Sequence, residues 1–363
     1  MSVGTVARSG ARRALGAAGT GDRRVAEDAD LDHCRAAIRA GSLSFHAASK
    51  LLPARVRDPA LALYAFCRLA DDAVDGTAHP QAAVRRLSER LEAVYAGRPA
   101  NAPADRAFAA VAEAHEMPRA LPEALLEGLA WDAEGRRYET LGDLRAYAAR
   151  VAGSVGAMMC VLMEVRDHRA LARACDLGLA MQLTNVARDV GEDARMGRLY
   201  LPRDWLAEAG LDPDAWLARP SASPALASVV RRLLAEADRL YRRAEPGIGL
   251  LPLAARPGIW AARLVYAGIG PAVLRAGCDP ARRGCTTRGF KARRLALAYG
   301  RAGLGALAPL PPGLGAPPAP EAAFLVDAAA RRSAWGEGRA GALVGLLAQL
   351  EARDRALRGQ LSH

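Results

Sequence analysis

The chain has 363 residues, 51% hydrophobic and 5% aromatic, with 50 basic against 39 acidic side chains and a formal charge of +11. That is a globular composition with enough apolar mass for one large domain or two ordinary ones. A basic balance suits nucleic acid, an anionic membrane surface or a phosphorylated substrate. The basic residues are dispersed, with no zinc-finger spacing and no RNA-binding aromatic motif, so nucleic acid is set aside. Six cysteines without a CxxC pair exclude a zinc ribbon and fit buried thiols in a reducing compartment better than a disulfide framework.

Residues 1–30 carry several arginines and no acid before Asp22. A transit peptide has this composition. So does a disordered basic tail, which is the reading taken. From 31 onward, helical periodicity dominates, alanine, leucine and arginine favour helix, and no alternating β-branched run stands out, so an all-α fold is expected. The pattern predicts helices over 31–51, 54–75, 81–96, 104–115, 121–135, 140–164, 168–193, 222–245, 256–276, 288–304, 321–333 and 337–358, punctuated by prolines. The most hydrophobic stretch, Val151 to Val165, is too short and too glycine-rich to span a bilayer and reads as a buried helix. Pro309 to Pro320, PLPPGLGAPPAP, cannot hold a helix. The expected organisation is therefore one helical domain over 31–304, a Pro/Gly-rich linker over 305–320 and a helical appendage over 321–363.

Within 54–75 the run LALYAFCRLADDAVDG turns from apolar to acidic. Asp71 and Asp75 are four apart, so a helix puts both carboxylates on one face, where they repel. A solvated helix end with nearby arginines would tolerate one such pair. A second pair follows in GLAMQLTNVARDVGEDARMGRLYLP, where Asp189 and Asp193 are again four apart with Glu192 between them. Gln182, Asn185 and Asp189 share a stripe on that helix. If the two faces oppose, four carboxylates meet at one cavity, and oxygen-only ligands in pairs suit Mg²⁺ or Mn²⁺. Magnesium bound by few carboxylates shares its shell with substrate phosphates, which points to a phosphate ester. Arg68, three residues before Asp71, and Arg188, directly before Asp189, either hold phosphate oxygens or neutralise the neighbouring acid, and both roles can coexist. Diphosphate leaving an allylic carbon makes a carbocation, which needs a dry apolar chamber. VAGSVGAMMCVLM, with small residues and methionines, fits the wall of one or ordinary core packing.

These stretches, YAFCR before DDAVD, RAYAARVAGSVG and QLTNVARDVGEDARMGRLYLP, resemble the squalene/phytoene synthase family over nearly all of 31–300, and most of all its bacterial phytoene-forming members. The resemblance implies a single all-α isoprenoid synthase domain with a central cavity. It implies head-to-head joining of two prenyl diphosphates through a cyclopropylcarbinyl diphosphate. By position it implies metal ligands at Asp71, Asp72, Asp75, Asn185, Asp189 and Asp193. It implies diphosphate or substrate contacts at Arg68, Gln182, Asn185, Arg188 and Tyr200, and tyrosine rings facing the reacting carbons at Tyr64 and Tyr147. GSLSFHAASKLLP resembles the family's flap, with Ser42, Ser44 and Phe45 matching and Leu43 standing where a basic residue is frequent. A phosphate contact from that position is lost, which Lys50 or another cation would replace. The basic run Ala281 to Ala296 falls near the expected cavity mouth.

The activity expected is Mg²⁺- or Mn²⁺-dependent conversion of two geranylgeranyl diphosphates into 15-cis-phytoene and two diphosphates, in carotenoid biosynthesis, without a nicotinamide. Presqualene diphosphate, squalene or dehydrosqualene from farnesyl diphosphate are the rivals within the class. A membrane-docking helical scaffold and a phosphate-ester hydrolase are the rivals outside it. Phytoene has no polar group, so a cytoplasmic protein attached peripherally to a membrane is expected, with neighbouring carotenoid-pathway enzymes as further partners.

Overall fold

Proline and short polar caps start most helices in the computed structural model, which describes residues 28–75, 79–282, 284, 286–307 and 313–331. No strand occurs among the described residues. Helix α1 covers 28–41. It is followed by α2 (Leu43–Ser49), α3 (Ala54–Asp75), α4 (Pro80–Tyr95), α5 (Pro103–Ala114), α6 (Ala120–Ala133), α7 (Leu141–Ala148) and, after a π turn at Ala149–Gly153, α8 (Ser154–Leu162). Then come α9 (His168–Arg195), α10 (Arg203–Glu208), α11 (Pro213–Ala218), α12 (Pro224–Ile248), α13 (Arg256–Ala267), α14 (Ile269–Arg275), α15 (Arg288–Leu307) and α16 (Ala323–Ala330).

Helix α9 is the axis of the molecule. Asp167 caps it, its carboxylate accepting the amides of Arg169 at 2.8 Å and Ala170 at 3.1 Å. Along α9, buried Leu171, Cys175, Leu179, Leu183, Val186 and Val190 keep steps of three and four. α12 packs along it, and α8, the π turn, α13, α14 and α16 also touch it. α12 begins at Ser223, whose hydroxyl accepts the Leu226 amide at 3.0 Å, with Pro224 in the first turn. The crossing with α8 and the π turn is close because glycines stand on both sides. A Cβ on Gly156 would lie 2.4 Å from the Ala174 carbonyl oxygen, and one on Gly178 would lie 2.3 Å from that of Ala152.

Several boundaries depart from the periodic pattern. The stretch 31–51 is two helices, broken at Ser42, whose side chain caps α2 by accepting the Phe45 amide at 3.2 Å. The stretch 140–164 is interrupted by the π turn, and 256–276 bends at Gly268. α10 and α11 are short helices in a segment where the pattern predicts none. Pro59 sits inside α3 rather than at its end. Helical structure is already present at residue 28, where a tail was expected, and Asp30 is buried in a two-point pair with Arg106 at 2.9 and 2.5 Å.

Residues 313–331, assigned from sequence to a linker and an appendage, pack on the main core. Leu325, Val326 and Ala329 are fully buried with α8, α9 and α6 residues. The expected helix 337–358 lies outside the described residues, as do residues 1–27.

Candidate active site

Two connected spaces lie between α3, α9, α13 and the π turn. The outer one is a mouth of about 640 Å³ with mixed polar and apolar walls. The inner one is an apolar chamber of about 310 Å³. Phe45, Tyr64, Cys67, Val151, Gln182, Asn185 and Tyr266 line both, so one space continues into the other.

Helical spacing delivers the mouth residues. On α3, Tyr64, Cys67, Arg68 and Asp71 recur at steps of three, one and three and share a face. On α9, Gln182, Asn185 and Arg188 step by three. Behind them the stripe turns apolar, through Met181, Gly178, Leu177 and Ala174, and lines the chamber. The wall expected at Val151 to Met163 is present. Val151, Ala152, Val155, Gly156, Met159, Cys160 and Met163 face the chamber, while Met158 is buried in the core behind them.

The acidic motifs meet their arginines first. Arg68 spans Asp72 at 2.6 and 3.0 Å and reaches Asp71 at 3.5 Å. Arg188 grips both oxygens of Asp189, one at 2.8 Å. Among the described residues, no three acid, thiol or imidazole groups gather around one point. The described carboxylates Asp71, Asp72 and Asp189 each pair with a guanidinium, the pairing the sequence offered alongside a phosphate-holding role for Arg68 and Arg188. Asp72, expected among the metal ligands, is exposed and does not line the mouth. The side chains of Ser44 and Asp75 lie outside the described residues.

The donor set fits a hard divalent cation. The Asn185 Oδ1 is buried without a hydrogen-bond partner, while its Nδ2 donates to Gln182 at 3.3 Å. An orphaned carbonyl oxygen of this kind is a ready ligand. The Asp193 carboxyl is pushed up to about 7, first by burial and then by the charge of Asp189, with Arg198 opposing and Glu192 and Asp132 adding. Carboxylates that resist ionising beside each other need added positive charge.

The tyrosines form a second cluster, centred on an acid the sequence did not single out. Asp132, near the end of α6, accepts the Tyr147 hydroxyl at 2.9 Å and the Tyr200 hydroxyl at 2.7 Å. The rings of Tyr147 and Tyr200 stack at 5.2 Å, and Tyr138 lies 5.3 Å from Tyr147. Burial, then Asp132, holds the Tyr147 phenol well above its ordinary pKa, so it remains a donor. Tyr147 faces the mouth. Tyr200, expected as a diphosphate contact, lines neither space and gives its hydroxyl to Asp132.

Phe45 stacks on Tyr266 at 5.0 Å and meets Tyr64 edge-on at 6.4 Å, forming an aromatic collar between mouth and chamber. Ser42 lines the mouth while capping α2.

The residues missed from sequence were Asp132 and Tyr266, both on the mouth, whereas Thr286 and Lys291 belong to the basic run Ala281 to Ala296, expected near the mouth without assigned roles, and do line it. Asp132 did carry a signal. It is the polar member of an otherwise apolar stripe, Leu125, Leu129 and Asp132, on α6.

Comparison with known proteins agrees with this geometry. The family model described as squalene/phytoene synthase matches residues 38–296. A phytoene synthase of Rhodobacter capsulatus is 60% identical over 334 residues, 91% of this chain and 98% of that protein. A phytoene synthase of Cereibacter sphaeroides is 60% identical over 346 residues, covering 92% and 96%. Among solved structures, a dehydrosqualene synthase in complex with a ligand superposes with a TM-score of 0.71 at 32% identity, covering 76% of this chain and 96% of that one. A squalene synthase from Alicyclobacillus acidocaldarius gives 0.64 at 27%, covering 70% and 97%. With the family model spanning most of its length and two relatives matched almost end to end, the chain belongs to the squalene/phytoene synthase family.

Proposed function

We propose that this chain is a 15-cis-phytoene synthase, joining two geranylgeranyl diphosphates head to head into phytoene with release of two diphosphates. The observation that carries this is the 60% identity to two phytoene synthases across more than nine-tenths of the chain. The apolar chamber opening into an arginine-bearing mouth supports it.

Asp71, Asp75, Asn185, Asp189 and Asp193 would hold Mg²⁺ or Mn²⁺. When bound, the metal offsets carboxylate charge and makes diphosphate a better leaving group. The chain's own residues do the rest. Arg68 and Arg188 present planar forks at the mouth, suited to diphosphate oxygens. The collar of Phe45, Tyr64 and Tyr266 separates this charged region from the chamber. The allylic carbons sit in the mouth beside the collar, where the ring faces of Tyr64 and Tyr147 stabilise positive charge. The chamber walls hold the two tails and exclude water, so the cation reacts with the second chain's double bond rather than with solvent. Closing the cyclopropane and forming the final alkene each release a proton. Released diphosphate, held by the arginines, is a base within reach. No hydride is delivered, so a nicotinamide is not required.

The product enters lipid. No helix among the described residues is long and apolar enough to cross a membrane. Between Asp279 and Glu321 the sequence has no acid, and α15 carries Lys291, Arg293, Arg294 and Arg301 beside exposed Leu297 and Tyr299. Such a surface next to the mouth suits peripheral attachment to an anionic membrane. Co-sedimentation with anionic vesicles that weakens as salt rises is expected. Absence of binding at low salt would refute it.

The functional reading is tested by incubating pure protein with Mg²⁺ and geranylgeranyl diphosphate, with and without NADPH, beside a farnesyl diphosphate control. A C40 hydrocarbon with a conjugated-triene absorption, formed without NADPH, is expected. A C30 product alone would overturn the substrate. No hydrocarbon from either would overturn the activity.

A further inference from the structure

The stripe of α9 that lines the mouth and chamber ends at Arg173 and Ala170. Arg173 is a charged residue where an apolar one would be expected, and its side chain is fully buried. Such a group persists only when every donor is engaged. Its Nε donates to Asp176 at 2.7 Å. Its Nη1 donates to the carbonyls of Gly313 at 3.1 Å and Ala316 at 3.0 Å, and its Nη2 to that of Pro317 at 3.2 Å. Arg243 ties the same Asp176 at 2.9 Å and the same Pro317 carbonyl. The guanidinium therefore points away from the chamber into a strap of backbone carbonyls, and the aliphatic stem is what stands at the chamber's end. Gly247 seats that stem: a Cβ there would lie 2.2 Å from the Arg173 Cβ.

We propose that the Arg173 stem, pinned by the 313–317 strap, is the end wall of the prenyl chamber and sets the longest chain the enzyme accepts. This inference rests on the proposed prenyl-coupling function. The dimensions agree with it. From Asn185 at the mouth to Arg173 is twelve residues of α9, about 18 Å along the axis. At extended-chain spacing, about 3.5 Å for three bonds, the four bonds of an isoprene unit reach about 5 Å. Four units need about 19 Å at that spacing, and a fifth would run into the stem. The strap makes the wall rigid because a single side chain is held at three carbonyls and one carboxylate.

The test compares kcat/KM for all-trans C15, C20 and C25 diphosphates in wild type, Arg173→Ala and Arg173→Met. Arg173→Ala removes the stem and should raise the C25:C20 ratio at least tenfold. Arg173→Met restores the stem's length without the strap contacts and should keep the wild-type ratio. A folded Arg173→Ala with an unchanged ratio overturns the proposal, as does an equal shift in both variants. Should Arg173→Ala fail to fold, Ala244→Leu decides, because it adds bulk to the chamber lining one helical turn from Gly247, which seats the Arg173 stem, and leaves the strap intact. It should lower the C20:C15 ratio, and an unmoved ratio overturns the end wall. No C40 product from wild type refutes the functional reading and this inference with it. C40 product with unmoved ratios refutes the end wall alone.

Discussion

Replacing Asp132 by alanine removes the acceptor shared by Tyr147 and Tyr200, with bonds of 2.9 and 2.7 Å. Hydrogen bonds to a charged acceptor contribute about 1.5–3 kcal/mol each, so the gross loss is about 3–6 kcal/mol. Two effects offset it. Tyr147 faces the mouth and its hydroxyl can turn to water. Asp193 loses a repelling neighbour. Tyr200 lines neither space, so its hydroxyl has no such recourse. A net loss of about 2 kcal/mol is expected, dominated by the orphaned Tyr200 hydroxyl. The assay is denaturant unfolding of wild type, Asp132→Ala, Tyr200→Phe and the double variant. The cycle should give a coupling of about 1–3 kcal/mol. Turnover should fall more than tenfold, because the Tyr147 ring loses its anchor at the reacting carbons. A coupling below about 0.5 kcal/mol would refute Asp132 as the hub of the cluster.

Gly178→Ala gains about 1 kcal/mol of helix propensity but drives a Cβ to within 2.3 Å of the Ala152 carbonyl oxygen, where backbone must move. A net loss of about 2 kcal/mol by thermal unfolding is expected, and a stabilised variant would show that the α9 crossing is looser than described. For Asp193, the carboxyl sits near 7 in the folded chain against its ordinary 3.8, so between these values the fold holds a proton that the unfolded chain has released. Without added metal, stability should therefore fall as pH rises from about 4 to about 7, by an amount on the order of 2 kcal/mol after screening at a partly exposed group. Asp193→Asn should flatten that dependence when unfolding is followed in chelator, and an unchanged slope would remove Asp193 as its source.

The fold was legible where one physical signal dominates. α3 and α9 bury one-sided apolar stripes between clear stops, and the spacing located their ends to within two residues. The paired aspartates were legible for the same reason, since four residues return to the same helix face. What escaped depends on contacts distant in sequence. The π turn at Ala149–Gly153 lies where Gly178 of α9 approaches the Ala152 carbonyl, a contact between segments separated in sequence. The proline-rich stretch read as a linker because it cannot be helical, yet its carbonyls are the acceptors that Arg173 needs. Asp132 acquires meaning only when α6 brings it under Tyr147 and Tyr200, from 15 and 68 residues away. The pairing of Arg188 with Asp189 was visible in the sequence, but which of its two roles holds in this structure was set by geometry.

The central claim is that two acidic motifs on separate helices act together on diphosphate at the mouth of an apolar chamber. The most direct measurement is hydrocarbon formation from geranylgeranyl diphosphate by Asp71→Ala and by Asp189→Ala, each checked for native circular dichroism. The account predicts folded proteins that release no hydrocarbon. Turnover within tenfold of wild type in either variant would contradict it.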